Sequence, residues 1–238
     1  MNAKTYTLAD MEMEIKERRN DSRSTGTAYA TIKRRILDNE YAPGMQIPEQ
    51  VLADSLGISR TPAREALVRL AQEGLIEIIP RHGMRVLPIS AGDMKEIYEV
   101  LVSLEPMATE LLALKKPQRS DVAGLTEACD EMELALEADD LDAWAKADEK
   151  FHFQLVELCG NRRLANMVMA VWEQSHRARM ITLKLRPKPV ESTREHRAVV
   201  EAILAGDVAV ARELYREHRS KAANAMIGII EKMGMNHL

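Results

Sequence analysis

Two side chains in the second half of the chain have the types and spacing of metal ligands. Asp148 and His152 are four residues apart, so on a helix they project from the same face. That face also carries apolar residues such as Phe151 and Leu155, which indicates that it is buried. A carboxylate and an imidazole among apolar neighbours need polar partners or a bound ion.

Two further histidines fall on later helical patterns, His196 in one and His218 in the next. If the three helices face one another, one oxygen donor and three nitrogen donors converge. Such a set suits Zn²⁺ or another borderline divalent cation and leaves positions open to water or a ligand. From spacing alone, other interpretations stay open. Each histidine can be a hydrogen-bonded core residue, and Asp148 with His152 can be an ordinary pair on one helix.

The elements that must position these residues all have helical periodicity. After residue 90 the pattern predicts helices over 93–115, broken or kinked around Pro106, then 120–138, 141–159, 161–186, from 192 or 193 to Gly206, and 207–231. We find no strand pattern and no repeat in this part of the sequence. An antiparallel helical bundle follows.

A second group of chemically active residues lies between Gln50 and Leu75, where two short helical patterns meet at a turn. The second pattern opens with cations, and Thr61 is predicted to be its N-cap with Pro62 in the first helical position. Arg60 and Arg64 therefore crowd the exposed N-terminal end of a short helix. This is the chemistry of a DNA recognition helix, although a surface helical hairpin with a few arginines is the alternative.

The flanking segments favour DNA. Residues 28–40 form an amphipathic helical pattern upstream, and two β-branched runs over 75–80 and 84–89 follow downstream. The tip between these runs carries Arg81 and His82 beside Gly83, so its backbone can approach a narrow groove closely. Three helices followed by such a hairpin make a winged helix-turn-helix.

The stretch from about residue 29 to 88 closely resembles the DNA-binding domain of GntR-family bacterial transcription regulators. The resemblance rests on Pro43-Gly44, on LADSLGISRTPAREALVRLAQEGLI and on the Arg81-His82-Gly83 tip. It implies DNA contacts from Arg60, Thr61 and Arg64 in the recognition helix, from Gln50 before it, and from His82 and Gly83 in the wing; Ser59 and Arg81 complete the predicted set. Many members carry arginine at the position of His82.

The helical half is similar to the FCD effector domain of the FadR subfamily of these regulators. The matching segments are D-x-x-F-H ending at His152, Gly160-Asn161, Glu195-His196, and A-I-L-A-G-D followed by His218. The resemblance implies that Asp148, His152, His196 and His218 bind a divalent ion that helps to hold a small carboxylate effector. We expect Zn²⁺ first, with Ni²⁺, Mn²⁺ or another ion as alternatives. His176 and His237 lie outside the pattern and are predicted not to be ligands.

One departure bears on the effector. Many family members carry an arginine just before the Leu-Glu of the first effector-domain helix, where this chain has Leu101 or Val102. An acyl-CoA ligand is also disfavoured, because the acyl-CoA regulator of this subfamily lacks the histidines. Arg179 is a candidate substitute for the missing carboxylate clamp, with a solvated or interhelical arginine as the alternative. Asn161 is either an effector contact or an N-cap.

Length and composition fit this organisation. The 238 residues suit a flexible tail over 1–26, a winged helix-turn-helix over 27–88, and an all-α effector-binding and dimerisation domain of six or seven helices over 90–232. The predicted fold is therefore mainly α. The formal charge is −4, but 8 Lys and Arg stand against 7 Asp and Glu in residues 27–88, so a local positive surface is compatible with DNA.

The sequence predicts a cytoplasmic protein with no membrane partner. Its two cysteines do not have CxxC spacing, it shows no signal peptide, and it has no apolar run long enough to cross a membrane.

These observations predict a regulator rather than an enzyme. It would be a homodimer on a palindromic operator, acting as a repressor whose DNA affinity is controlled by a small organic acid bound at the metal. Two alternatives are a regulator for which the ion itself is the signal, and a metallohydrolase fused to a DNA-binding module. The second needs an acid placed to activate water, and Glu149 is predicted to point away from the ligands.

Overall fold

The computed structural model describes residues 24–234, and the chain folds as two compact units with their boundary between Pro88 and Ile89. Most of the predicted tail over 1–26 lies outside the described residues, and so does His237. No helix within 24–234 has the length and apolar character needed to cross a membrane.

The first unit combines three helices with a small antiparallel sheet. In chain order its elements are α1 (residues 24–37 in the described part), β1 (Gln46–Ile47), α2 (Glu49–Leu56), α3 (Arg60–Gln72), β2 (Ile76–Ile79) and β3 (Gly83–Val86). The strands lie in the order β1-β3-β2, with Met84 opposite both Ile47 and Ile78. The helices pack on one core with the sheet, which includes Ile32, Ile36, Leu52, Leu67, Leu70 and Ile76.

The second unit, as far as the structure describes it, is a bundle of six α-helices. They are α4 (Ala91–Leu114), α5 (Ala123–Glu137), α6 (Leu141–Leu158), α7 (Arg162–Thr182), α8 (Val190–Ala205) and α9 (Val208–Lys232), with short 3-10 segments at Arg119–Val122 and Leu183–Leu185. Their apolar faces form one continuous core. The predicted mainly α fold, with a winged helix-turn-helix and a helical bundle, is confirmed.

Several local predictions were wrong. Helix α3 begins at Arg60 with Ser59 as its N-cap, so Thr61 is not the cap. Pro62 is then the third helical residue, where it is tolerated because the first four N–H groups of a helix have no intrahelical partner. Helix α4 is not broken at Pro106, which is buried inside it.

Two further corrections concern the start of helix α8 and a strand that was not predicted. Helix α8 begins at Val190 after Pro189, rather than at Ser192 or Thr193. The Thr193 hydroxyl instead accepts a hydrogen bond from Trp144 Nε1 at 2.9 Å. Strand β1 was not predicted, because two residues are too few to produce a periodic pattern.

Candidate metal centre and nucleic-acid interface

Three imidazoles converge inside the second unit. His152 on α6, His196 on α8 and His218 on α9 are all buried, and one nitrogen from each lies within 4.8 Å of the others. The Nε2 atoms of His152 and His196 are 3.4 Å apart. Two nitrogens at neighbouring tetrahedral positions, about 2.0–2.1 Å from a Zn²⁺ ion, would lie about 3.3–3.4 Å apart. The spacing of the two imidazoles therefore fits a shared ion.

Asp148 lies beside two of these imidazoles, on the same helix as His152. Its Oδ1 atom lies 3.4 Å from His152 Nε2 and 3.7 Å from His196 Nε2. Its other oxygen, Oδ2, faces Arg179 Nη1 at 3.2 Å. Asp148 therefore connects the histidine cluster with a buried guanidinium on α7.

The protonation states at this cluster suit a divalent cation. Burial lowers the pKa of His152 to about 4 and that of His196 well below its ordinary value, so both rings are neutral near pH 7. Burial also opposes ionisation of Asp148, but the neighbouring Arg179 guanidinium holds the pKa of the carboxyl well below its usual range. Neutral imidazoles and an ionised carboxylate are the forms that bind metal.

The far sides of two imidazoles have hydrogen-bond partners that fix how the rings face the centre. His218 Nδ1 lies 2.9 Å from Glu195 Oε2, and because a carboxylate only accepts, Nδ1 is the donor and Nε2 is the nitrogen left for a metal. His152 Nδ1 lies 2.7 Å from the Tyr215 hydroxyl, whose oxygen can accept a hydrogen bond from the ring in the same way. Partners of this kind orient ligating histidines in metal sites. Glu195 and Tyr215 were not recognised as site residues from the sequence.

Three other residues of this unit were singled out in the sequence, namely Arg179, His176 and Asn161, and their surroundings differ from one another. Arg179 is 7% exposed, so the solvated alternative does not apply. His176 is buried and stacks on Trp172, with its Nδ1 4.0 Å from Glu149 Oε2. Asn161 is exposed and caps α7 by accepting a hydrogen bond from the backbone of Leu164. Its contacts are those of an N-cap.

Two further arginines of this unit, one of them fully buried, were also missed. Arg219, beside His218 on α9, forms a bidentate ion pair with Glu105 on α4, and both side chains are almost completely buried. The sequence offered one signal, since Glu105 is an acid on the inward face of a helix. Arg186 follows the 3-10 segment at the end of α7, and its Nε atom is buried.

In the first unit, the predicted recognition helix presents an exposed row of polar side chains. Ser59, Arg60, Thr61 and Arg64 are exposed at the N-terminal end of α3, while Ala63, Ala66 and Leu67 are buried beneath. A surface groove along this side is lined by Thr25, Glu49, Arg60, Thr61, Arg64, Glu65, Val68 and Arg69. Three of the predicted DNA contacts therefore share one groove.

The other predicted DNA contacts flank this helix. Gln50 is exposed on α2 and donates to Asp54 Oδ1 at 2.8 Å. Arg81 and His82 are exposed at the tip between β2 and β3. Gly83 is buried with φ +86°, and a Cβ there would clash with the Ile47 carbonyl oxygen. The close backbone approach that requires glycine is thus to β1 of the same unit.

Each of the two units matches a known protein family. Residues 24–86 match the gntR family of bacterial regulatory proteins, and residues 96–221, more than half of the chain, match the FCD domain. The chain belongs to the GntR family of bacterial transcription regulators. This GntR regulator is a DNA-binding protein with an FCD domain, a domain associated with metal binding. The names of its relatives also denote regulators rather than enzymes.

Individual relatives of the GntR regulator cover most of its length. It is 34% identical over 196 residues to an HTH-type transcriptional regulator of Streptomyces ambofaciens, covering 80% of this chain and 79% of that one. It is 26% identical over 202 residues to the HTH-type transcriptional repressor GlaR of Escherichia coli, covering 80% and 90%. Its fold is similar to that of E. coli McbR/YncC, with TM-score 0.75, 22% identity, and 88% and 98% of the two chains covered.

Proposed function

We propose that this GntR regulator is a metal-dependent repressor whose operator affinity is controlled by a small organic acid. Asp148, His152, His196 and His218 would hold the ion, and a carboxylate of the effector would occupy its open position. The observation that carries the proposal is the convergence of three buried imidazoles around one point, with an ionised carboxylate beside them. The relative GlaR is named a repressor, which supports that sign of regulation.

The donor set favours Zn²⁺ among the candidate ions. Three imidazole nitrogens and one carboxylate oxygen are borderline ligands, and the spacing between His152 and His196 fits tetrahedral or slightly expanded geometry. Ni²⁺ and Mn²⁺ would bind the same atoms with more ligands added from water or the effector. When bound, the ion would act as a Lewis acid that attracts the effector carboxylate.

The protein residues supply orientation and charge. Glu195 and Tyr215 direct the imidazoles of His218 and His152 towards the centre, and residues of the apolar core surround them. Arg179 holds the second oxygen of Asp148 and is itself a cation at the edge of the site. We include Arg179 in the proposed effector site and leave out Asn161.

DNA binding would use α3 and the wing of two subunits on a palindromic operator. The exposed end of α3 presents Arg60, Thr61 and Arg64, and Arg60 is oriented by Glu49 Oε1 at 3.3 Å from its Nε. The test is fluorescence anisotropy with a duplex selected from random sequences by the unaltered protein. Arg64→Ala should lose specific binding, whereas Arg34→Ala, which removes an exposed cation from α1, should keep it. Equal affinity of the Arg64→Ala variant would refute the assignment of α3.

The same assay tests the control by effector. Metal-loaded protein on its operator is titrated with a panel of small organic acids, and the metal-free protein serves as control. Release of DNA by an acid only when metal is present supports the proposal. Operator affinity that follows free metal without any acid would show instead that the ion is the signal. An operator affinity that changes with neither the metal nor the acids would contradict the proposal that this centre controls DNA binding.

A further inference from the structure

Helix α4 carries two apolar stripes, and only one of them faces the core of its own unit. The inward stripe is buried and includes Met94, Tyr98, Leu101, Ala108 and Leu112. The second stripe, called the outer stripe below, consists of Val100, Leu104, Met107, Leu111 and Leu114, which recur four and three positions apart. A helix that is apolar on two sides is expected to be covered on both.

Much of the outer stripe is open to solvent. Val100, Met107 and Leu114 lie seven positions apart and are 40%, 39% and 57% exposed. Leu104 and Leu111 lie between them and are only partly buried, at the edge of the core. Single exposed apolar residues are common on protein surfaces, but a continuous row over about four turns at this spacing is typical of a helix that packs against another helix.

The spacing of the outer stripe fits a second copy of the same helix. Val100 and Leu114 lie seven positions on either side of Met107, and Leu104 and Leu111 lie three and four positions from it. A two-fold axis beside Met107 would therefore bring Val100 of one copy against Leu114 of the other. An interface between identical surfaces has to be self-complementary in this way, because each of its contacts occurs twice.

The charges beside the outer stripe favour an antiparallel pair. Glu96 and Glu99 are exposed near the N-terminal end of α4, and Lys115 and Lys116 are exposed at its C-terminal end. Lys115 donates one hydrogen bond to the Leu158 carbonyl oxygen at 2.8 Å, which leaves two N–H donors on its ammonium group. Antiparallel helices would place the acidic end of one copy beside the basic end of the other, whereas parallel helices would bring like charges together.

We propose that two copies of this chain associate through their outer stripes, with the two α4 helices antiparallel and Met107 beside the two-fold axis. The proposal goes beyond the proposed function, which requires two subunits but assigns no surface to their contact. Pairing would cover Val100, Met107 and Leu114 of both chains, and the burial of these side chains would supply much of the free energy of association.

The test is analytical ultracentrifugation of the full-length protein without DNA. The unaltered protein should be a dimer at micromolar concentration. Met107→Glu would place two carboxylates against each other at the axis, and we expect it to weaken dimerisation about 100-fold or more. Leu134→Glu is the matched control, because Leu134 is an exposed leucine of α5 outside the outer stripe, and it should leave the dimer intact. Circular dichroism checks that both variants are folded.

Disulfide cross-linking tests the direction of the pair and does not depend on a charged variant. The native cysteines Cys129 and Cys159 are both buried. Under mild oxidation with diamide, Met107→Cys should form covalent dimers, because two helices that face each other at the axis bring these positions to disulfide distance. The double variant Val100→Cys with Leu114→Cys should also do so, whereas Val100→Cys alone should not.

The contrary outcomes are distinct. Covalent dimers of Val100→Cys alone would show parallel helices and overturn the proposed geometry. A dimer that is as stable in Met107→Glu as in Leu134→Glu would show that another surface joins the chains, while the two subunits of the proposed function would stand. An unaltered protein that is monomeric would overturn this proposal and also DNA binding by a preformed pair of subunits.

Discussion

The hydrogen bond between Glu195 and His218 should set the metal affinity of the centre. Glu195 Oε2 lies 2.9 Å from His218 Nδ1, and Oε1 lies 2.6 Å from Lys221 Nζ. The hydrogen bond from His218 is the main cause of a lowered pKa for Glu195, so the carboxylate is ionised near neutral pH. An ionised acceptor fixes the ring and makes Nε2 a stronger donor to a metal.

Removing this carboxylate has a predictable size. Loss of a partner that orients a ligating histidine weakens metal binding about 10- to 100-fold, which is about 1.4–2.8 kcal/mol. Glu195→Ala should lie towards the upper end, because His218 loses both its orientation and its charged acceptor. Glu195→Gln keeps an acceptor oxygen and loses only the charge, so we expect about tenfold or less. Lys221 is exposed, and Lys221→Met should therefore have a small effect.

The assay is competition for Zn²⁺ with a chromophoric chelator of known affinity, on full-length protein. Glu191→Ala is the matched control, because Glu191 is an exposed acid on the same helix that pairs with Arg194 at 3.5 Å. The predicted order of affinity is Glu191→Ala, then Glu195→Gln, then Glu195→Ala. Unchanged affinity in Glu195→Ala would refute the role of His218 as a ligand oriented from its far side.

Two further predictions concern the core. Arg219→Met should cost about 3–5 kcal/mol because it leaves the Glu105 carboxylate buried and unpaired, whereas adding Glu105→Leu should recover much of the loss. Urea unfolding followed by tryptophan fluorescence measures both, and a double variant as unstable as the single one would argue against an ion pair. Cys129 and Cys159 should not react with Ellman's reagent at pH 8 until the protein is denatured, since both are buried and burial raises the pKa of Cys129 to about 12. Reaction of native protein would contradict their burial.

Much of the fold could be predicted from the local sequence pattern. The recurrence of apolar residues every three to four positions predicted the helices of the bundle, and Asn161 and Asp207 cap α7 and α9 as their types predict. The predicted start of a helix was wrong where two residues could each serve as its N-cap. Ser59 and Thr61 are both good N-caps by type, and backbone geometry rather than residue type places the helix start after Ser59.

In the candidate metal centre, too, some features could be predicted from local sequence and others depend on how the helices pack. Asp148 and His152 could be paired from the sequence because four-residue spacing fixes a shared helix face. His196 and His218 could be proposed as ligands, but their distances depend on how α6, α8 and α9 pack.

The partners of the ligands are tertiary features as well. Glu195 precedes a histidine in sequence but contacts a different one, His218, on the following helix. The pairing of Glu105 with Arg219 joins residues that are 114 positions apart. Neither contact follows from a local pattern, because each depends on which faces of two helices meet.

The metal content of the purified protein tests most directly whether the histidine cluster binds a divalent ion. Full-length protein, dialysed against trace metals and then metal-free buffer, is measured by inductively coupled plasma mass spectrometry beside His196→Ala and a control, His82→Ala, in the wing. We predict about one divalent ion per chain in the unaltered protein and in His82→Ala, and a large loss in His196→Ala. Metal content that is near zero in all three, or equal in all three, would contradict a metal centre built on Asp148, His152, His196 and His218.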